Sequence, residues 1–129
     1  MAGKVTGRVE ILVNGEMLLN KAGAVAMNIG ESGKPTIKRE PVIGDTTIHG
    51  AKETILEARL QVKVTDRDDV DLGKLAAING DGTVVMRAAG GGKVYTMPNA
   101  TCMSAMQLTA GEGETTLEFY GPYWIHTTA

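Results

Sequence analysis

The sequence predicts a mainly β fold: two packed antiparallel sheets, a β-sandwich or barrel, with one short flanking α-helix and a long extended loop. Residues 56–65 alternate between apolar and polar side chains, which is the period of a strand with one buried face. Gly-rich turns separate several further short apolar segments. Only residues 70–78 carry an apolar stripe at helical spacing. We expect a single domain over residues 1–129.

The N-terminal segment predicts a β-hairpin. Val9, Ile11 and Val13 share one face of an alternating stretch over residues 7–14. Asn14-Gly15 favours a type I′ turn, since both central positions of that turn need positive φ. Residues 17–19 would then pair back on the first strand, and the apolar run over residues 24–29 predicts another strand.

Residues 30–52 break the alternation, because Gly and Pro recur there among scattered charges. We interpret residues 34–52 as a long loop or an extended hairpin. Loops longer than about 12–15 residues are uncommon in compact domains unless they are functional or disordered. We therefore expect a binding role for this segment, with a floppy excursion as the alternative.

The clearest strand follows over residues 56–65. Its apolar face carries Leu56, Ala58, Leu60, Val62 and Val64, and its polar face carries Glu57, Arg59, Gln61, Lys63 and Thr65. Such a strand belongs to a sheet with one face on the core and the other in contact with water.

The short helix is predicted over residues 70–78. Its helix-cap candidates are Asp68, which can accept hydrogen bonds from the first-turn amides, and Asp71, whose charge favours the positive end of the helix dipole. Four more strands are predicted at residues 83–89, 93–97, 100–108 and 115–120.

Composition argues against several classes of function. The formal net charge of -2 and the aromatic content of 4% do not suit a protein that grips nucleic acid through a basic surface or stacks bases. No signal peptide and no apolar stretch of membrane-spanning length is seen, so we expect neither secretion nor membrane insertion. The single cysteine, Cys102, is expected to be a buried apolar side chain, which suits a reducing cytosol.

No catalytic, metal or cofactor site is predicted. Counted from Asp66, an EF-hand would need Gly and Glu where Asp71 and Ala77 stand. His49 and His126 lack ligand spacing, and the Gly-rich turn at residues 90–92 does not match a P-loop. We expect a non-enzymatic binding or structural module. The rival interpretation is a small β-barrel enzyme or ligand carrier, which would need a pocket with convergent polar groups.

The order of these features resembles the Mu-like family of phage tail tube proteins. The resemblance spans about residues 38–121 and depends on Ile48-His49-Gly50-Ala51-Lys52-Glu53-Thr54, Thr65-Asp66-Arg67-Asp68-Asp69-Val70-Asp71-Leu72, Gly111-Glu112-Gly113-Glu114 and Phe119-Tyr120-Gly121. Each motif alone is only a turn or a cap. Their order and spacing, together with the chain length, are specific.

The resemblance implies a structural subunit of a virion, assembled in the host cytoplasm as a homo-oligomer. Hexameric rings would stack into a tube inside a contractile sheath, with the tail sheath, baseplate, tail-terminator and tape measure proteins as partners. DNA would pass through without sequence-specific binding. A secreted type VI tube or a tailocin tube is the alternative. The long loop would contact a neighbouring subunit or ring through Lys34, Lys38, Arg39, Glu40, Pro41, Val42, Ile43, His49 and Lys52, and truncating it should leave a folded subunit that does not polymerise.

The polar face of the strand at residues 56–65 is a candidate lining for the lumen of such a tube. The residues are Glu57, Arg59, Gln61 and Lys63. Periodicity fits a sheath-facing or simply solvated face equally well.

Overall fold

The computed structural model describes residues 6–21, 23–68, 71–103 and 107–128 and confirms the mainly β fold. Within these ranges the chain forms eleven strands and one helix. They are β1 (Val9–Val13), β2 (Glu16–Met17), β3 (Val25–Met27), β4 (Thr36–Ile43), β5 (Ile48–Leu56), β6 (Ala58–Thr65), α1 (Leu72–Ala76), β7 (Gly82–Ala88), β8 (Lys93–Cys102), β9 (Gln107–Thr109), β10 (Glu114–Gly121) and β11 (Ile125–Thr128).

The two large antiparallel sheets and α1 together are called the body, and strand β8 belongs to both of these sheets. The first sheet has the order β2-β1-β7-β8, with β11 on β8, and the second has the order β8-β10-β6-β3, with β9 on β10. The first part of β8 pairs with β11, as in Thr96 opposite Ile125. Its last residues pair with β10, as in Cys102 opposite Phe119. The chain therefore turns the corner between the two sheets within a single strand.

On the side away from β8, residues 18–21, which follow β2, connect the first sheet to the second. The Leu18 amide donates to the Ile11 carbonyl in the first sheet at 2.8 Å. Further along, the Lys21 amide donates to the Lys63 carbonyl at 2.7 Å, and the Thr65 amide donates to the Leu19 carbonyl at 2.9 Å, both in the second sheet. The sheets are thus connected at both margins, which closes a sandwich around the core.

The core lies between the sheets and is mostly aliphatic, with Trp124 and Phe119 as its largest fully buried side chains. The apolar face predicted for β6 is confirmed, since Ala58, Leu60, Val62 and Val64 are all buried. Cys102 is also buried, as predicted, and burial raises the pKa of its thiol.

The predicted strand pattern is largely right but its boundaries shift. Asn14 and Gly15 both have positive φ, 51° and 83°, as the predicted turn requires. Strand β2 ends at Met17 instead of residue 19, because the chain then crosses to the second sheet. The strand predicted at residues 93–97 and the first part of the one predicted at residues 100–108 are a single strand, β8. Residues 104–106 lie outside the described part, and residues 107–108 belong to β9. The pairing of β8 with β7 shifts register between Gly82 and Val84. Strand β11 was not predicted.

The helix is shorter than predicted, and its N-cap is Asp71, not Asp68. The Asp71 carboxylate accepts a hydrogen bond from the Lys74 amide at 3.0 Å, which is the geometry of an N-cap. The predicted start at Val70 lies outside the described residues. The helix ends at Ala76 because Ile78 enters the core and its carbonyl accepts from the Cys102 amide at 3.1 Å.

Residues 34–52 contain most of an extended hairpin. Strands β4 and β5 pair antiparallel with each other and with no other described strand, so they form a separate sheet of two strands. Of the two interpretations of this segment, the extended hairpin is correct. Gly and Pro obscured it, since Pro41 and Gly50 both lie within paired strand positions.

Candidate functional site

The hairpin of β4 and β5, residues 36–56, is called the arm. Its register runs from Thr36 opposite Leu56 to Val42 opposite Gly50, then shifts so that Ile43 pairs with Ile48. The tip is closed by the Gly44 amide, which donates to the Thr47 carbonyl at 2.7 Å. Within the arm every residue is exposed apart from Thr36, Gly44 and Leu56, which are half-buried. The arm therefore does not pack on the body of its own subunit.

The arm exposes large apolar side chains. Ile43, Ile48 and Ile55 are 72%, 69% and 71% exposed, and Ile37 and Val42 are 45% and 44% exposed. β-Branched residues normally cover a half-buried sheet surface. Such side chains on a free hairpin indicate a surface that another molecule covers.

The two faces of the arm differ in chemistry, because cross-strand partners share a face. One face, called the ladder face, carries the pairs Ile37–Ile55, Arg39–Glu53 and Pro41–Ala51. Its single pair of charged residues forms an ion pair, in which Arg39 Nε lies 3.3 Å from Glu53 Oε1.

The opposite face, called the polar face, carries Lys38 opposite Thr54 and Glu40 opposite Lys52. Lys38 Nζ lies 2.6 Å from Glu40 Oε1, and this hydrogen bond raises the pKa of the lysine. This face is suited to contact with water.

The base of the arm is fixed to the body by residues 28–35, called the root. Thr36 Oγ1 donates to the Asn28 carbonyl at 2.7 Å, and Asn28 Nδ2 donates to the Glu57 carbonyl at 2.7 Å. The Gly33 amide donates to the Trp124 carbonyl at 2.8 Å. A Cβ on Gly30 would stand 2.5 Å from Thr36 Oγ1, so glycine permits this close approach. The root therefore holds a set position on the body.

A cavity of about 520 Å³ lies where the root meets the arm. Its walls include apolar atoms of Pro35, Ile37 and Ile55, and charged side chains stand around them. The lining residues are Gly30, Glu31, Lys34, Pro35, Thr36, Ile37, Arg39 and Ile55. This cavity is called the root cavity.

The predicted binding residues of the loop all lie on the root or the arm. Lys34 is in the root, 3.3 Å from Glu31, and His49 and Lys52 lie on β5. The other predicted residues, Lys38, Arg39, Glu40, Pro41, Val42 and Ile43, lie on β4. Sequence reasoning omitted Ile37, Ile48 and Ile55. Their signal was the recurrence of β-branched residues on both sides of residues 44–47.

The candidate lumen residues lie beside the arm along the chain. Glu57 separates β5 from β6, so the arm continues directly into the strand that carries Arg59, Gln61 and Lys63. Arg59 lies 3.7 Å from Glu57 and 3.6 Å from Glu118 of β10, measured between nitrogen and carboxylate oxygen. On the outer face of the second sheet, Arg59 is thus paired with two carboxylates.

Among the described residues, no group of three or more His, Cys, Asp and Glu side chains is arranged to hold a metal ion. No helix in the same part of the chain is long and apolar enough to cross a membrane. Of the helix-cap candidates, Asp71 lies on the body at α1, and Lys74 of that helix pairs with Glu16 at 3.2 Å.

Comparison with known proteins identifies the family. A search of curated proteins finds no significant match. The sequence model for the phage tail tube protein family matches residues 2–125, which includes the root, the arm and every strand of the body up to the first residue of β11. Proteins of this family are non-enzymatic, structural components of the virion that assemble into a tube with other tail components. Because the match extends over nearly the whole chain, this protein belongs to the phage tail tube protein family.

Proposed function

We propose that the chain forms hexameric rings that stack into the inner tube of a contractile tail, a conduit for DNA or an effector. The observation that carries this proposal is the arm, whose strands pair with each other and with no other described strand, and expose five large apolar side chains. An isolated hairpin of two strands is marginally stable in water. Contacts with another copy of the chain would stabilise it.

The body supplies the second element of assembly. Strands β2 and β3 lie at the ends of the hydrogen-bonded sheet order, where backbone groups are open to pairing. Closing such edges through neighbouring copies turns an association hazard into ring formation. If about four strands of each copy join, about 24 strands at about 4.8 Å spacing and about 40° tilt give a diameter near 48 Å.

The outer face of β6 is proposed to line the lumen through Glu57, Arg59, Gln61 and Lys63. Its Arg59 lies within 4 Å of two carboxylates, as given above, so this guanidinium would present little uncompensated positive charge to the cargo. A lumen without strong cation patches retards a polyanion less, since each unpaired cation adds a phosphate contact. In a structure of the assembled tube, the side chains of Arg59 and Lys63 should point into the lumen. Side chains that point outward would contradict this assignment.

The proposed partners follow from the place of such a tube in a tail. They are the sheath around it, the baseplate and tail-terminator proteins at its ends, and a tape measure protein in the lumen. Assembly is proposed to occur in the host cytoplasm.

Arm truncation tests the assembly proposal. Residues 38–54 are replaced by a two-residue Asn-Gly turn, which joins the remaining pair Ile37–Ile55. Because the arm does not pack on the body, we expect an unchanged melting transition and no tubes in negative-stain micrographs. The control is Thr46→Ser at the tip, which keeps the full arm and should still polymerise. Normal tubes from the truncated chain would contradict the proposal.

A further inference from the structure

The tip of the arm is an apolar projection. Ile43 and Ile48 face each other across the hairpin and are among its most exposed side chains. The turn between them contributes one acidic residue, Asp45, and no Lys or Arg. The tip thus combines an isoleucine pair with a single carboxylate.

The root cavity has the complementary character. Pro35, Ile37 and Ile55 supply apolar walls, and the basic lining residues Lys34 and Arg39 form exposed ion pairs with Glu31 and Glu53, which a further carboxylate can join. An apolar group that enters would leave water, and a carboxylate that follows it would meet the two basic side chains.

A tip cannot fill the root cavity of its own arm. Ile43 and Ile37 stand six positions apart on one strand, and a strand rises about 3.3 Å per residue, so about 20 Å separates them. The β4–β5 pairing holds the strand extended over that distance. Any contact between tip and root cavity is therefore between two copies.

We propose that the tip of one copy, Ile43 with Ile48, seats in the root cavity of a second copy, with Asp45 near Lys34 and Arg39. This inference rests on the proposed function, because it specifies a contact through which copies assemble. The contact joins two different surfaces and leaves each copy with one free tip and one free cavity. Such heterologous contacts propagate into rings or filaments, whereas tip-to-tip contacts would stop at dimers.

Cysteine crosslinking in the full-length chain tests the contact. One variant combines Ile37→Cys with Ile43→Cys, and the matched controls carry each substitution alone. Cys102 is buried and is left in place. After mild oxidation of assembled material, the double variant should give a ladder of covalent multimers on a non-reducing gel. Each single variant should stay monomeric.

The outcomes separate this contact from the proposed function. Tubes of the double variant that give no ladder overturn the tip-to-root contact and leave the tube assignment standing. Dimers from Ile43→Cys alone overturn it in favour of tip-to-tip pairing. Wild-type protein that never polymerises overturns the proposed function and the contact together.

A second measurement does not depend on disulfide geometry. Ile37→Ser and Ile43→Ser should each raise the critical concentration for polymerisation by about tenfold or more, from the apolar burial lost. If the two side chains meet, the double variant should be little worse than either single variant. Multiplied effects in the double variant would show that they do not meet. Because both side chains project from a free arm, the melting transition should stay unchanged.

Discussion

The hydroxyl of Ser32 accepts a hydrogen bond from the backbone amide of His126 at 2.9 Å and lies 3.4 Å from the carbonyl oxygen of the same residue. Ser32 is in the root, and His126 is on β11, which pairs with β8 on one side. One side chain thereby satisfies two backbone groups at the edge of a strand, where open groups invite pairing with another chain. This contact connects the root, and through the root the arm, to β11.

Ser32→Ala should loosen this tie without unfolding the body. The loss of an exposed hydrogen bond costs about 0.5–1.5 kcal/mol. We expect faster hydrogen exchange at residues 30–34 and 124–128, measured by mass spectrometry, with little change in the melting temperature. Ser32→Thr keeps the hydroxyl and should retain protection. Equal exchange in the alanine variant and the wild type would show that the contact does not hold the root.

How well the sequence predicted the structure differs between the body and the arm. On β6 the alternation was unambiguous, because each apolar residue from Ala58 to Val64 faces the core. On the arm both faces are exposed, so burial imposed no alternation. Its pairing depends on cross-strand neighbours such as Ile37 and Ile55, which stand far apart in sequence. Hydrophobic periodicity predicts strands that have one buried face. It therefore does not detect a hairpin whose two faces are both exposed in its own subunit.

The contacts of the root with the body were not predicted from the sequence, for a different reason. These contacts join Ser32 to His126 and Gly33 to Trp124, residues that are far apart in sequence. No local pattern encodes such pairs. The helix cap shows the same limit at short range, because several aspartates precede α1 and only the geometry of Asp71 with Lys74 identifies the cap.

Stability should depend on pH through Glu114. The hydrogen bond from Lys21, whose Nζ lies 3.0 Å from the carboxylate, is the main cause that lowers the pKa of Glu114 below 4.5. A carboxylate with a lowered pKa in the folded state contributes stability above its ordinary pKa and loses it as the pH falls through the lowered value. We expect Glu114→Gln to melt at a lower temperature than the wild type at pH 7.

The difference between these two melting curves should shrink as the pH falls through the lowered pKa of Glu114, where the wild-type carboxyl group takes up a proton. It should also shrink in high salt, since this ion pair is at the surface. The control is Glu31→Gln, which removes an exposed ion pair with Lys34. A pH-independent difference at Glu114 would point to lost packing instead of lost charge.

Cys102 should be nearly inert in the folded protein. Its side chain is buried, and burial raises the pKa of the thiol, so little thiolate forms at neutral pH. A water-soluble maleimide should label the native protein at least about a hundredfold more slowly than the chain in denaturant, because labelling requires opening of the core. Ser32→Cys on the surface provides a fast-reacting reference. Rapid labelling of native Cys102 would contradict the packing of β8 against β10.

Thr115 offers a substitution that should stabilise the body. The residue lies on β10 opposite Val64 and is 1% exposed, and in the described part of the chain its hydroxyl has no hydrogen-bond partner. A buried hydroxyl without a partner is unfavourable by about 1–3 kcal/mol. Valine has nearly the same shape and lacks the hydroxyl. We therefore expect Thr115→Val to raise the free energy of unfolding by about 1 kcal/mol.

Urea denaturation followed by Trp124 fluorescence measures this change, since Trp124 is the single tryptophan and is fully buried. The midpoint should rise with an unchanged slope, which separates a gain in stability from a change in the unfolded state. Thr116→Val, at the next position on the outer face of the same strand, is the matched control and should have little effect. A lower midpoint for Thr115→Val would mean that the hydroxyl contributes to the fold through a bound water.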